Sequence, residues 1–278
     1  MATIAALLRE ASSKLETETP RLDAELLLGF LLKKNSAWFL AHGDEDLPLL
    51  TEERFTGLLS RRIAGEPIAH LVGSRSFWTL DLAVTADTLI PRPETELLVE
   101  LAVVKSSKDK KLRILDLGTG TGAIALAIAS ECRNAEVIAV DKSTAALAVA
   151  RENAIRNNLQ VEFIESDWFS ALGSQKFDLI ASNPPYIPEQ DPHLLQGDVR
   201  FEPMAALASG VDGLDDIHLI ISQAPQYCLP EAWLMIEHGF DQGEAIRALF
   251  SEAGFTNVET VQDLEQRDRV TLGQLVGF

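Results

Sequence analysis

The chain has 278 residues, of which 46% are hydrophobic and 24% charged. That balance fits an ordinary globular protein of one large or two modest domains, and it excludes a disordered, collagen-like or disulfide-framework chain. Forty-two acidic residues against 24 basic ones leave a formal net charge of −18, which repels phosphate backbones and anionic lipid at long range and suits a basic protein partner or a small cationic cofactor.

Cys132 and Cys228 have no CxxC spacing and no flanking histidines, so neither a zinc site nor a redox motif is expected. Two buried thiols in a reducing compartment are the expectation over one disulfide. His42, His70, His193 and His218 show no metal spacing, and no metal is expected. Arg9 and Glu10 interrupt the first apolar stretch, so no signal peptide is read. The longest strongly apolar run, Leu26 to Leu32, is too short to span a bilayer, and a cytoplasmic location is expected.

The first sixty-odd residues read as helices. Ile4, Leu7, Leu8, Ala11 and Leu15 recur at helical spacing. A second helix opens at Thr19 and Pro20 and carries Leu22, Leu26 and Phe30. A short helical piece follows at Ala37 to Ala41. Another starts at Thr51, carries Phe55, Leu58 and Leu59, and is stopped by Gly65 and Pro67. Phe77 to Val84 alternates and is rich in strand formers, so residues 68–90 are read as a β-ribbon linker between a helical domain (1–67) and the rest (91–278). Two prolines stiffen Ile90 to Glu94, a helix covers Glu94 to Val104, and the polar run Lys105 to Lys111 reads as a loop.

From residue 112 onward short apolar strands alternate with helices, which predicts a mostly parallel sheet covered on both faces. Strands are read at Arg113 to Leu117, Val137 to Val140, Val161 to Ile164, Phe177 to Ala181, Ala232 to Ile236, Asn257 to Val261 and Val270 to Leu275. No helix separates the last two, so they must pair antiparallel.

Gly118-Thr119-Gly120-Thr121-Gly122 leaves the first strand and enters a helix. The pattern is GxGxG rather than GxGxxG, and no Lys-Ser/Thr follows as a P-loop requires. It reads as a nucleotide-type cofactor loop at a strand's carboxyl end. Asp141 ends the second strand, where it can accept two hydrogen bonds from ribose hydroxyls or cap the following helix. Asp167 and Trp168 follow the third strand and offer a polar contact and an apolar face to an adenine, or simply loop polarity and a half-buried ring.

The fourth strand ends in Ser182-Asn183-Pro184-Pro185-Tyr186. The prolines lock the backbone and remove local N–H competitors, so the Asn183 side-chain oxygen and the Pro184 carbonyl can converge on one spot. Two converging acceptors suit a planar NH₂ group, and Tyr186 can lie flat against a conjugated substrate. His238, after the fifth strand, is either a base or a structural imidazole.

DLGTGTG, Asp141 and NPPY together resemble S-adenosylmethionine-dependent methyltransferases that modify nitrogen. With IPRPETE (90–96), FEP (201–203), DGL (212–214), EHG (237–239) and RDRVTLG (267–273), essentially the whole chain resembles the peptide chain release factor N5-glutamine methyltransferase family, PrmC/HemK. One departure is Gln266, where the resemblance leads one to expect a glycine. The resemblance implies a Rossmann-like class I methyltransferase α/β sheet with a small N-terminal helical domain. It implies S-adenosyl-L-methionine as donor, S-adenosyl-L-homocysteine as product, and methylation of the Gly-Gly-Gln glutamine of release factors 1 and 2, modulating translation termination. Gly118, Thr119, Gly120, Thr121, Gly122, Asp141, Asp167, Trp168 and Asn183 are then expected to bind the cofactor. Asn183, Pro184 and Tyr186 are expected to serve catalysis. Those three, with Pro185, Arg92 and Glu202, are expected to meet the substrate. The helical domain is expected to grip the release factor, and the enzyme to act as a monomer. The NPPY geometry would equally serve a nucleic-acid N-methyltransferase, against which stand the −18 charge and the lack of a basic tail. A catalytically silent binding module is opposed by the intact Asn183 and Tyr186.

Overall fold

The computed structural model describes residues 3–106 and 111–276, and the chain divides into two compact units. The first runs to Ser74 and also takes in Gly197–Phe201. The second comprises Arg75–Gln196 and the chain from Glu202 onward. The division therefore falls after Ser74, and part of the long segment beyond NPPY folds with the helical unit.

Five helices build the first unit: α1 (Ile4–Lys14), α2 (Pro20–Leu32), α3 (Ser36–Ala41), α4 (Leu49–Ile63) and α5 (Ile68–Val72). Thr3 caps α1, its hydroxyl accepting from the Ala6 N–H at 3.3 Å. Helix α4 starts two residues before Thr51, with Pro48 in the N-cap place. Residues 68–72, assigned to the ribbon from sequence, instead form the short helix α5, which ends on Gly73. Leu7, Leu8, Phe39, Phe55 and Leu59 share one core with Leu27 and Leu28 of α2. The apolar residues of α2 fall on two faces. Leu22, Leu26 and Phe30 are exposed, whereas Ala24, Leu27 and Leu28 are buried. Leucines on both faces make two apolar stripes available. Asp23 selects between them, because it turns inward to the buried Arg62 guanidinium, Nε to Oδ2 at 2.9 Å. Arg62 also donates to Asp198 Oδ1 at 2.6 Å, and Arg200 reaches the Ala64 carbonyl, so Gly197–Phe201 is anchored by charge-assisted bonds.

The second unit opens with a hairpin of β1 (Ser74–Phe77) and β2 (Leu80–Ala83), as the alternation predicted. A 3-10 turn (Pro93–Thr95) leads into α6 (Glu96–Lys105). Of the polar run that follows, residues 107–110 lie outside the described residues. Then come β3 (Arg113–Leu117), α7 (Ala123–Glu131), β4 (Glu136–Asp141), α8 (Thr144–Arg156), β5 (Glu162–Glu165), β6 (Phe177–Ser182), α9 (Asp215–Gln223), β7 (Cys228–Glu237), α10 (Gly243–Glu252), β8 (Phe255–Gln262) and β9 (Asp268–Leu275). The sheet order is β5-β4-β3-β6-β7-β9-β8. The first five strands are parallel, and β9 enters antiparallel between β7 and β8. Alternate residues serve opposite faces. Ile114, Leu179 and Val137 pack beneath α6 and α7, while Leu115, Ile180 and Ile138 pack with α9 and α10. The strand order reverses at β3, which opens a crevice at the carboxyl ends of the strands on either side. Cys132 and Cys228 form no disulfide; Cys228 is buried and Cys132 is partly exposed.

Gln266 lies in the β8–β9 loop with φ +62, in the left-handed region that favours glycine. Its N–H donates to the Asp263 carbonyl at 2.9 Å, so the loop keeps this conformation in spite of the side chain. Gln266→Gly is therefore expected to raise stability by up to ~1 kcal/mol, read from the denaturant midpoint of the full chain. A lowered midpoint would contradict this account.

Candidate active site

The glycine loop leaves β3 with Gly118, Gly120 and Gly122 all at positive φ, +71, +54 and +83. The N–H groups of Gly118 and Thr119 both reach the Val140 carbonyl at 2.9 Å, which ties the loop to the end of β4. A Cβ on Gly120 would project into open space, so the backbone there is bare toward the pocket. Asp116 points beneath the first turn of α7. Its Oδ2 accepts from Thr119 Oγ1 at 2.6 Å and from the Ala125 N–H at 3.2 Å. Its Oδ1 is buried with no partner, and burial pushes the carboxyl up to about 7.

Asp141 ends β4 and holds two backbone donors, Gly120 N–H on Oδ2 at 2.9 Å and Ser143 N–H on Oδ1 at 2.8 Å. Each oxygen retains a lone pair for a further donor. The cap of α8 is Ser143, whose hydroxyl accepts from Ala146 N–H, so Asp141 is not the cap. Trp168 is almost fully buried, its ring against Gly118 and its Nε1–H on Asp216 Oδ1 at 3.1 Å.

One pocket gathers most of the residues singled out from sequence: Gly118, Thr119, Gly120, Thr121, Asp141, Asp167, Trp168, Asn183, Pro185 and Arg92. Leu89, Pro91, Thr95 and Ala205 join its wall. Gly122, Pro184, Tyr186 and Glu202 stand outside that lining. Tyr186 packs against the α9/α10 core, and its burial raises the phenol's pKa. Glu202 is buried, and its carboxylate is engaged by Ile90 N–H at 2.8 Å and by Arg92 Nη2, so it holds the proline-stiffened segment in place. His238 is enclosed, with Nε2 on Thr271 Oγ1 and Nδ1 on the Gly239 carbonyl, each at 2.8 Å. Burial lowers its pKa, so the imidazole is neutral, and both of its ring nitrogens are already engaged within the fold. No cluster of metal-ligating side chains occurs among the described residues.

The Methyltransferase small domain pattern matches residues 93–197, and that of the PrmC N-terminal domain matches residues 6–73. A release factor glutamine methyltransferase of Xylella fastidiosa is 52% identical over 274 residues, covering 98% of either chain. One from Escherichia coli is 50% identical over 272 residues, covering 96% of this chain and 97% of its own. The chain belongs to the release factor glutamine methyltransferase family. A methyltransferase from Pyrococcus furiosus shares the fold, with a TM-score of 0.54 at 17% identity, over 80% of this chain and all of that one.

As a member of that family the protein is an S-adenosylmethionine-dependent methyltransferase. The residues present fit such a donor. The unpartnered Asp116 Oδ1, the bare backbone at Gly120 and the unsatisfied lone pairs of Asp141 line or underlie one pocket. Several residues that shape this family member's site were given no role from the sequence. Asn153 of α8 is fully buried. It takes the Ala83 N–H on Oδ1 at 2.6 Å and donates from Nδ2 to the Thr121 carbonyl at 2.9 Å, joining the hairpin to the glycine loop. Gln242 donates to the Tyr186 carbonyl at 3.0 Å and fixes the exit of the NPPY loop. Thr95 accepts from Asn183 Nδ2 at 3.2 Å. The partners of Asn153 and Gln242 are remote in the chain, so no local pattern marks them, whereas Thr95 lies within IPRPETE, which does not reveal its contact with Asn183.

Proposed function

We propose that the protein methylates the side-chain amide nitrogen of the glutamine in the Gly-Gly-Gln motif of peptide chain release factors 1 and 2, modulating translation termination. A carboxamide nitrogen is a poor nucleophile, because its lone pair is delocalised into the carbonyl. The site must therefore orient it. The observation that carries the reading is the Asn183 Nδ2 bond to Thr95, which leaves Asn183 Oδ1 as an acceptor for the substrate. Asn183 Oδ1 and the Pro184 carbonyl hold the two amide hydrogens, and Tyr186 supports the loop that carries them. Holding the nitrogen in line can contribute several kcal/mol, up to roughly 7–11 in the best intramolecular cases. The same acceptors stabilise the positive charge that arrives on nitrogen. S-adenosylmethionine supplies the sulfonium methyl group. The proton then leaves to water, because an N-protonated amide is strongly acidic.

In this reading Asp141 accepts from ribose hydroxyls, and Asp167 and Trp168 flank the adenine. Arg92, held by Glu202, faces the acceptor side. The helical unit grips the release factor, a role supported by the exposed stripe Leu22, Leu26 and Phe30 along α2. The protein works as a cytoplasmic monomer; no helix among the described residues is long and apolar enough to cross a membrane.

The test is incubation with tritiated S-adenosylmethionine and, separately, purified release factor 1, release factor 2, bulk RNA or DNA. Label is expected on the release factors, within the Gly-Gly-Gln peptide. Label on nucleic acid alone would replace this reading with nucleic-acid N-methylation.

A further inference from the structure

Glu237 ends β7 beside the NPPY loop, since Ile236 is in register with Ser182 of β6. It is 1% exposed, and its Oε2 has no hydrogen-bond partner. A buried carboxylate without full pairing is costly and calls for an explanation. The Thr95 hydroxyl and the Asn183 amide face it, and both act on its acidity through hydrogen bonding. Nothing in the mechanism above uses it.

We infer that Glu237 is a positioning residue that fixes which way the Asn183 carboxamide points. The inference rests on the proposed amide methylation and follows from hydrogen-bond polarity. An ionised carboxylate only accepts, and Thr95 has a single hydroxyl proton. With that proton turned to Glu237, Thr95 Oγ1 can only accept from Asn183. The second Asn183 N–H is left for the buried, unpartnered Oε2. Asn183 must then present Nδ2 inward and Oδ1 to the pocket, the orientation found. Once Glu237 carries a proton, or is replaced by an amide, Thr95 is released from this constraint. Asn183 can then flip and turn an N–H toward the acceptor amide nitrogen, whose own two N–H groups need an acceptor there.

Burial pushes the Glu237 carboxyl up to about 7, opposed by Thr95, Arg269 and Asn183, with Glu94 reinforcing the rise. Arg269 comes from β9, Glu94 from the 3-10 turn, and Tyr186 from the loop itself; the adjacent His238 is neutral. The ionised form is the orienting one, so turnover should fall as pH drops through about 7.

The experiment compares the full-length wild type with Glu237→Gln and Thr95→Val. Turnover on release factor, S-adenosylmethionine affinity and the pH profile are measured for each. Glu237→Gln is expected to lose kcat on the order of 10²-fold, as a misaligned reacting group does. Donor affinity should stay within twofold, and the limb near pH 7 should vanish. Thr95→Val, which keeps the shape and removes only the hydroxyl, should lose kcat in the same sense. A direct readout needs no substrate: in protein labelled with ¹⁵N-asparagine, the Asn183 side-chain resonance, assigned by its loss in Asn183→Ala, should shift with a midpoint near pH 7. In Glu237→Gln that shift should be absent. Wild-type kcat in both variants, or an Asn183 resonance indifferent to pH and to Glu237→Gln, overturns the inference. If the wild type labels no release factor, it is the amide-methylation reading that fails, and the resonance still decides the orientation.

Discussion

Asn183→Ala is expected to lower kcat by about 10²–10³-fold, the usual consequence of removing one preorganised group aimed at developing charge. The side chain sits at the pocket wall with Nδ2 committed to Thr95. Truncation therefore removes the Oδ1 acceptor while leaving the glycine loop, Asp141 and Trp168 untouched. S-adenosylmethionine affinity should change by no more than a few-fold, because on the proposed reading those groups, and not Asn183, hold the donor. Single-turnover kinetics on release factor, alongside calorimetric titration of the donor, separate the two quantities. Equal losses in turnover and donor affinity would mean that Asn183 serves the cofactor and not the acceptor amide.

Gly213→Ala should cripple the enzyme from a position outside the pocket lining. Gly213 has φ +78, and a Cβ there would lie 2.1 Å from the Tyr186 carbonyl oxygen and 2.8 Å from Gln242 Nε2. Those two atoms form the 3.0 Å hydrogen bond that holds the loop exit. A methyl group cannot share that space, so the backbone of Tyr186 must move, and with it the alignment of Asn183 and Pro184. A loss of kcat on the order of 10²-fold is expected from displacement of about 1 Å, along with destabilisation of roughly 1–3 kcal/mol. Gly73→Ala is the control. Gly73 has a similar φ, +72, but its Cβ would meet nothing within 4 Å. It should show only the conformational cost, about 1–2 kcal/mol in the denaturant midpoint, with turnover unchanged. Matching losses of turnover in both variants would refute the steric account.

The glycine loop, Asp141 and NPPY were legible because each is a local event, a strand end followed by a turn whose residue types constrain its own backbone. The parallel sheet was legible for the same reason: continuous apolar strands separated by helices admit few other arrangements. The buried face of helix α2 was not legible. Its leucines supply two stripes, and only the Asp23–Arg62 pairing turns Leu27 and Leu28 inward. Glu202 carried a motif but not its role, since its partners Ile90 and Arg92 lie far back in the chain.

Taken alone, the sequence determined the fold class and the positions of the glycine loop and of the NPPY segment, because hydrophobic period and proline or glycine chemistry act over a few neighbouring residues. Only the tertiary structure decided which atoms of those segments are free to act. Thr95 and Glu237 meet Asn183, Gln242 meets Tyr186, and Gly213 clears space for that contact. Each of these pairings depends on strands and loops brought side by side by sheet order and by burial of a shared core, information that no short stretch of the chain contains.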